Sequence, residues 1–241
     1  MTRWRTTSLA LAVLAGVTLT ACESSQDKSQ EIRARAVATA PKPLVIAKPN
    51  KDVKVMDTTL LHDQNGDAIV VSLKNESRQT LVNVPILVDI RNPKGKTVYK
   101  NDTAGLDFAL NHIAVLQPGE TFFWVNDQVT GDGKTAKVTV GQPEAKPPSG
   151  PLPELAVSPP RLQHDFSGTN VSGTVTDKSK IDQSRLILFA VARQGRQIVA
   201  AGRGQIKALK VAAKPAPYNI YFIGNPVGAE VEIQAPPTVL Q

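Results

Sequence analysis

One cysteine, Cys22, serves the whole 241-residue chain, so no disulfide can close within it and stability must come from burial. Aromatic residues make up only 5% of the chain, so any core must be largely aliphatic. Beyond the first 21 residues no stretch approaches the ~18 apolar residues that a membrane-spanning helix needs. No block of five or six like charges occurs, and no basic stripe is interleaved with aromatics, which argues against nucleic-acid binding. No Gly-x-Ser-x-Gly turn is present for an esterase nucleophile, and no glycine-rich loop leads from a strand into a helix to cradle a nucleotide. No segment carries a helical apolar stripe with caps. These absences leave no catalytic residue, metal ligand or cofactor to nominate.

The N-terminus is different in kind. Arg3 and Arg5 precede an apolar run over residues 9–17, which ends in Leu19-Thr20-Ala21-Cys22. A basic start, an apolar stretch and small residues before a cut are the layout of a secretory signal. With cysteine directly after the small residues, the segment resembles the signal of bacterial lipoproteins. That resemblance implies a signal peptide over 1–21, cleavage between Ala21 and Cys22, diacylglycerol on the Cys22 thiol and acyl chains such as palmitate. The chain would then hang from the exported face of the cell membrane. One acyl chain holds marginally and two or more hold firmly, at about 0.8 kcal/mol for each buried methylene. The full chain has 28 basic and 21 acidic residues. Without Arg3 and Arg5 the balance is 26 to 21, a surplus suited to mild attraction by an anionic envelope surface.

Two low-complexity stretches divide the remainder. Residues 22–50 are rich in Ser, Gln, Lys, Ala and Pro without apolar periodicity, and read as a flexible tether with a mean reach of about 30 Å. From 142 to 153 five prolines (Pro143, Pro147, Pro148, Pro151, Pro153) favour an extended spacer. Between and after these lie two modules, 51–141 and 154–241. They read as a tandem repeat. His62, Asp63 and Gly66 recur 102 residues later as His164, Asp165 and Gly168. At the same offset Val55 matches Val157, Leu60 matches Leu162, Ile69 matches Val171 and Ser77 matches Ser179. Gly95-Lys96 corresponds to Gly195-Arg196 at an offset of 100.

Both modules read as all-β. Val82, Val84, Ile86, Val88 and Ile90 alternate with other residues, the period-two pattern of a half-buried strand. Pro85 lacks a ladder donor and predicts an edge strand or a bulge there. Turn signals at Asn65-Gly66, at 92–95, at Pro118-Gly119 and at 131–133 divide the first module into strands over 53–62, 67–74, 82–91, 96–100, 111–116, 120–128 and 133–140. The second divides at 155–164, 169–176, 184–193, 196–203, 205–211, 218–224 and 229–234. About seven short strands per module predict a β-sandwich. Residues 88–92, Gly95 and the later Pro118-Gly119-Glu120-Thr121 resemble an FxLyD-type domain, a small immunoglobulin-like sandwich of prokaryotic envelope proteins. Val88, Ile90, Arg91 and Asn92 stand at the family's signature Phe, Leu, Tyr and Asp, and the second module keeps little beyond strand and glycine. The resemblance implies two immunoglobulin-like sandwiches and an envelope setting, and names no ligand.

The polar residues read as turn chemistry. In Asp63-Gln64-Asn65-Gly66-Asp67 the sixth position is Ala68 and the twelfth Lys74, where a calcium loop needs glycine and a carboxylate; a hairpin turn fits instead. The repeated His-Asp pairs sit on adjacent strand positions, which face opposite ways, so aspartate capping of a turn is expected. Acid pairs such as Asp102 with Asp107, or Glu230 with Glu232, would be needed for a sugar hydrolase. Phe122-Phe123-Trp124, and Tyr218, Tyr221 and Phe222 in the second module, place aromatics on both faces of a strand. One face is core; the other is either a partner surface, with Phe123, Trp124 and Tyr221 as candidate partner-binding residues, or a strip covered by the sister module. The expectation is a non-enzymatic, lipid-anchored envelope protein that presents two sandwich modules to another envelope protein. A wall-polysaccharide-binding module and, behind it, an envelope hydrolase are the alternatives.

Overall fold

Period-two patterning produces strands almost throughout. The computed structural model describes residues 42–240; the signal, Cys22 and the first part of the tether segment lie outside them. The first half contributes β1 (Val53–Asp63), β2 (Gly66–Asn75), β3 (Leu81–Arg91), β4 (Thr97–Lys100), β5 (His112–Leu116), β6 (Thr121–Val129) and β7 (Thr135–Val140). A single 3-10 turn, Phe108–Leu110, precedes β5 and is capped by the Asp107 side chain, which accepts from the Ala109 N–H. The strands form two antiparallel sheets, β1-β2-β6 and a second in which β4 and β5 flank one side of β3 and β7 the other.

The second half repeats the plan with β8 (Leu155–Val157), β9 (Arg161–Asp165), β10 (Gly168–Asp177), β11 (Gln183–Gln194), β12 (Gln197–Leu209), β13 (Ala216–Tyr221), β14 (Ile223–Gly224) and β15 (Glu230–Gln234). Here β10 pairs β13 on one side and β8 and β9 on the other, while the facing sheet runs β14-β12-β11-β15. The architecture is an all-β sandwich arrangement of antiparallel sheets, as the pattern of short strands implied.

Several backbone details recur in the two halves. Asn83 and Arg185, 102 residues apart, are both non-glycine residues in the left-handed region, at φ 52° and 50°. The Ser77 N–H donates to Asn75 Oδ1 and the Ser179 N–H to Asp177 Oδ1. Each serine hydroxyl in turn accepts from the N–H two residues on. Gly66 and Gly168 both turn their hairpins at positive φ.

The strand readings need four corrections. Residues 218–224 divide between β13 and β14, which pair with β10 and β12 in different sheets. Residues 155–164 form two strands, because Pro159-Pro160 cannot continue a ladder. Residues 196–211 hold one 13-residue strand, β12, with no turn at its middle. Pro85 sits in a central strand, not at an edge: β5 pairs β3 only up to Pro85 and β7 only from Ile86. The proline falls where the ladders change over, and its carbonyl still accepts from the Gly141 N–H at 2.7 Å.

Strands β2, β6 and β11 are buried on both faces, and this joins the halves. In β2 Ile69, Val71 and Leu73 oppose Asn126, Trp124 and Phe122 of β6 on the inner face of the first sandwich, and Val70 opposes Val125 on the outer face. All seven hydrophobic residues are fully buried. In β11 Leu186, Leu188, Ala190 and Ala192 fill the second half's own core. The intervening Ile187, Phe189 and Val191 instead join the buried cluster of the first half. Phe189 meets Phe122 edge to face, with centroids 5.3 Å apart. Residues 42–240 therefore belong to one compact unit, and at about 25 cal/mol per Å² such apolar contact is the main force between the halves. Polar contacts line the seam. Arg203 and Asp127 pair at 3.1 Å, both largely buried, Arg185 pairs with Asp107, and Asp63 accepts from the Gly224 N–H.

The proline-rich segments lie against this body. The Leu44 N–H donates to Asp102 O and the Asn50 N–H to Val140 O. The Glu144 and Ala145 N–H groups donate to Asn83 O and Val82 O.

Candidate functional site

Of the candidate partner-binding residues, two are inside the molecule. Trp124 is fully buried, and its Nε1–H donates to Ala109 O in the 3-10 turn at 2.9 Å. Phe123 is on the opposite face of β6, yet buried as well, under the Arg193 guanidinium 4.5 Å from its ring centroid. Its N–H donates to Gln234 Oε1, whose amide also donates to Thr121 O. That one side chain clothes the β6 edge as a neighbouring strand would. The aromatic strip is thus covered by the sister half and is not a free surface. Tyr221 remains 43% exposed, with its hydroxyl donating to Asp165 Oδ2 at 2.8 Å; its phenol is held above the usual range first by that contact and then by burial.

The two His-Asp hairpins behave as turn chemistry. Asp63 Oδ1 accepts from the Asn65 N–H and Asp165 Oδ1 from the Ser167 N–H, each at 2.7 Å. His62 contacts Asp67, and His164 Nδ1 lies 3.1 Å from Thr169 Oγ1. Among the described residues no three His, Cys, Asp or Glu side chains are placed to hold one metal ion, and no helix is long and apolar enough to cross a membrane.

A small cleft of about 160 Å³ opens between the halves, walled by Phe108, Ala109, Ile187, Phe189 and Pro236. His112 lines it, stacked on Phe108 with centroids 4.3 Å apart. Burial holds this imidazole below its usual range, with the Glu144 carboxylate, 3.3 Å from Nε2, opposing the shift. Its Nδ1–H donates to Asn111 Oδ1 at 2.7 Å, which fixes the ring. A cavity near this size holds one ring-sized apolar group, well short of the ~300 Å³ or more typical of a site for a whole small molecule.

No family model matches the chain, and no curated protein sequence is significantly similar to it.

Besides Tyr221, apolar residues that the sequence did not single out are exposed. Phe166, at the apex of the β9–β10 hairpin, is completely exposed, and Leu162 on β9 is 42% exposed. Every residue of β9 is exposed. The counterpart β1–β2 hairpin carries polar Gln64 at the position of Phe166, so an aromatic residue between two turn-forming polar residues was the available signal. Leu60 and Leu61, at and beside the position of Leu162, are packed against the joint core. The second half covers the first half's β1 side, and no described residue covers β9 in the same way.

Proposed function

We propose that the chain is a non-enzymatic, lipid-anchored protein of the bacterial cell envelope. Residues 1–21 are its signal, Cys22 carries the lipid, and the head is a pair of immunoglobulin-like sandwiches of FxLyD type that docks another protein. The anchor reading rests on Leu19-Thr20-Ala21-Cys22 behind a basic and apolar start. The docking reading is supported by one observation above the others: the β9–β10 hairpin leaves Phe166 wholly in solvent and Leu162 42% exposed, while Phe122, Phe123, Trp124, Phe189 and Phe222 are buried. A fully exposed phenylalanine at a hairpin apex adds nothing to the fold's own core, while it suits insertion into a partner.

Two arms test this. Cells fed an alkyne-bearing palmitate should label the wild-type chain and leave Cys22→Ala unlabelled; equal labelling would defeat the anchor. Crosslinking in native membranes should then capture a protein with the wild type and lose it with Phe166→Ser, whose exposed site leaves the fold intact. Recovery of wall polysaccharide alone, or capture unaffected by the substitution, would overturn the docking reading.

A further inference from the structure

Strand β9 is the bare edge of the β9-β10-β13 sheet. The Phe222 N–H donates to Thr169 O, so Thr169 turns its backbone groups toward the β13 side of the sheet. Its partner His164 therefore turns its own N–H and C=O outward, and by alternation so does Leu162. Unpaired edge groups of this kind template the addition of another strand. The five residues read Arg161-Leu162-Gln163-His164-Asp165. That order is self-complementary when run antiparallel. With Gln163 opposite Gln163 of a second copy, Arg161 faces Asp165 on both sides of the centre, and the outward-turned Leu162 and His164 face each other as a hydrogen-bonded pair. No ion pair among the described residues involves Arg161. In the same register Phe166 comes opposite Pro160 and diagonal to Leu162, which covers the exposed apolar residues of the hairpin.

The outer face of this sheet does not offer the same opportunity. Ser172, Thr174, Gln163 and Asn219 make it polar, whereas Val70, Val125 and Phe123 make the corresponding face of the first half apolar. The edge is what is left open, and its charge order matches itself.

We infer that β9 pairs antiparallel with β9 of a second copy about Gln163, so that the two chains share one continuous sheet. This rests on reading the β9–β10 end as an interaction surface, and it names the occupant as the same chain.

Cysteine scanning on the purified full chain tests the register, with Cys22 left in place and the wild type run in parallel to report any linkage through it. A non-hydrogen-bonded antiparallel pair has Cα atoms about 4.5 Å apart, within disulfide reach. Gln163→Cys should link to itself on mild oxidation. Arg161→Cys should not, because its own copy lies roughly 14 Å along the strand. Leu162→Cys mixed with His164→Cys should link better than either alone. These are exposed positions, so folding is preserved and checked by circular dichroism. The expected result is about ten-fold more dimer for Gln163→Cys than for Arg161→Cys, set by that geometry. Absence of linkage at Gln163→Cys, or equal linkage at both positions, overturns the pairing. A membrane crosslink still lost with Phe166→Ser would in that case leave docking to a different protein standing.

Discussion

Asn75 and Asp177 occupy the same station in the two halves of the molecule, but only Asn75 is fully satisfied. Each is the last residue of its strand, each is buried, and each accepts from the N–H of a serine two residues on. The Asn75 amide also donates to Gln79 O at 2.8 Å and Leu116 O at 3.0 Å, tying the two sheets of the first sandwich together. In the second half Oδ2 of Asp177 has no hydrogen-bond partner. Gln183 takes over instead, donating to Ile181 O and Val239 O.

An amide should therefore suit position 177 better than a carboxylate does. Asp177→Asn is expected to raise stability by about 1 kcal/mol, because it replaces a buried carboxylate oxygen that no donor satisfies with a neutral amide. The reciprocal Asn75→Asp removes two donations and leaves buried carbonyls facing a carboxylate, and should cost about 2–3 kcal/mol. Denaturant melts of the two variants check this. A loss of stability in Asp177→Asn would show that its environment is not the counterpart of Asn75's.

The aromatic residues of β6 should behave as core. Phe123→Ala and Trp124→Ala are each expected to destabilise by about 3–5 kcal/mol, and Trp124→Phe by about 1–3 kcal/mol, since it leaves Ala109 O unpaired in the interior. Any partner binding lost with these variants would therefore follow unfolding. Because Phe123 lies between the halves, its loss should lower one shared transition rather than that of one half, and calorimetry distinguishes the two.

Stability should fall with acid through His112. Its folded pKa lies below the unfolded value of about 6.5. The unfolded chain therefore takes up a proton that the folded one resists. The contribution is complete above about 6.5 and is lost as pH drops from there toward the folded value, with a slope of at most about 1.4 kcal/mol per unit. Burial acts on Glu120 in the other sense, raising its pKa against the donation from the Gln117 N–H. The stability tied to Glu120 falls as pH rises from about 4.5 through its folded pKa. His112→Gln should flatten the pH dependence just below 6.5 without touching the Glu120 window. An unchanged profile in that variant would remove His112 as its source.

The strands were legible because one face of a sheet strand leaves a period of two, and the turns because Asn-Gly and Pro-Gly chemistry is local. The two turns at His62-Asp63 and His164-Asp165 were legible as well, since capping residues are tied to the turns they make. What stayed hidden was the joining of the halves. It was encoded in unbroken apolar runs at 68–71, 122–125 and 186–192, which mark strands covered on both faces. Such runs say that a second cover exists without naming it, so Phe123 read equally well as surface or seam. Proline content likewise pointed to an extended spacer at 142–153, and only the position of Val82 and Asn83 reveals that it has carbonyls to bond. Phe166 was missed because a single apolar residue in a turn breaks no periodicity.

The close approach of β12 to β13 yields the sharpest steric prediction. Gly202 and Gly204 replace side chains on the inner face of β12, and a Cβ at 202 would press into the Tyr221 carbonyl and stand 2.9 Å from Ile220 Cγ2. Neither the carbonyl nor the fully buried Ile220 has room to retreat. Gly202→Ala should destabilise by about 1–3 kcal/mol through overpacking, and because β12 also faces the first half, it should loosen the seam at Arg203 and Asp127. Gly119, at φ +72° with open space around it, is the contrasting case. Gly119→Ala meets no atom and should cost only about 1 kcal/mol of backbone strain. Hydrogen exchange separates the two mechanisms: Gly202→Ala should speed exchange along β12 and β6 together, while Gly119→Ala should act at its own turn. Equal, purely local effects would mean that the two sheets can part at Gly202 without disturbing the seam.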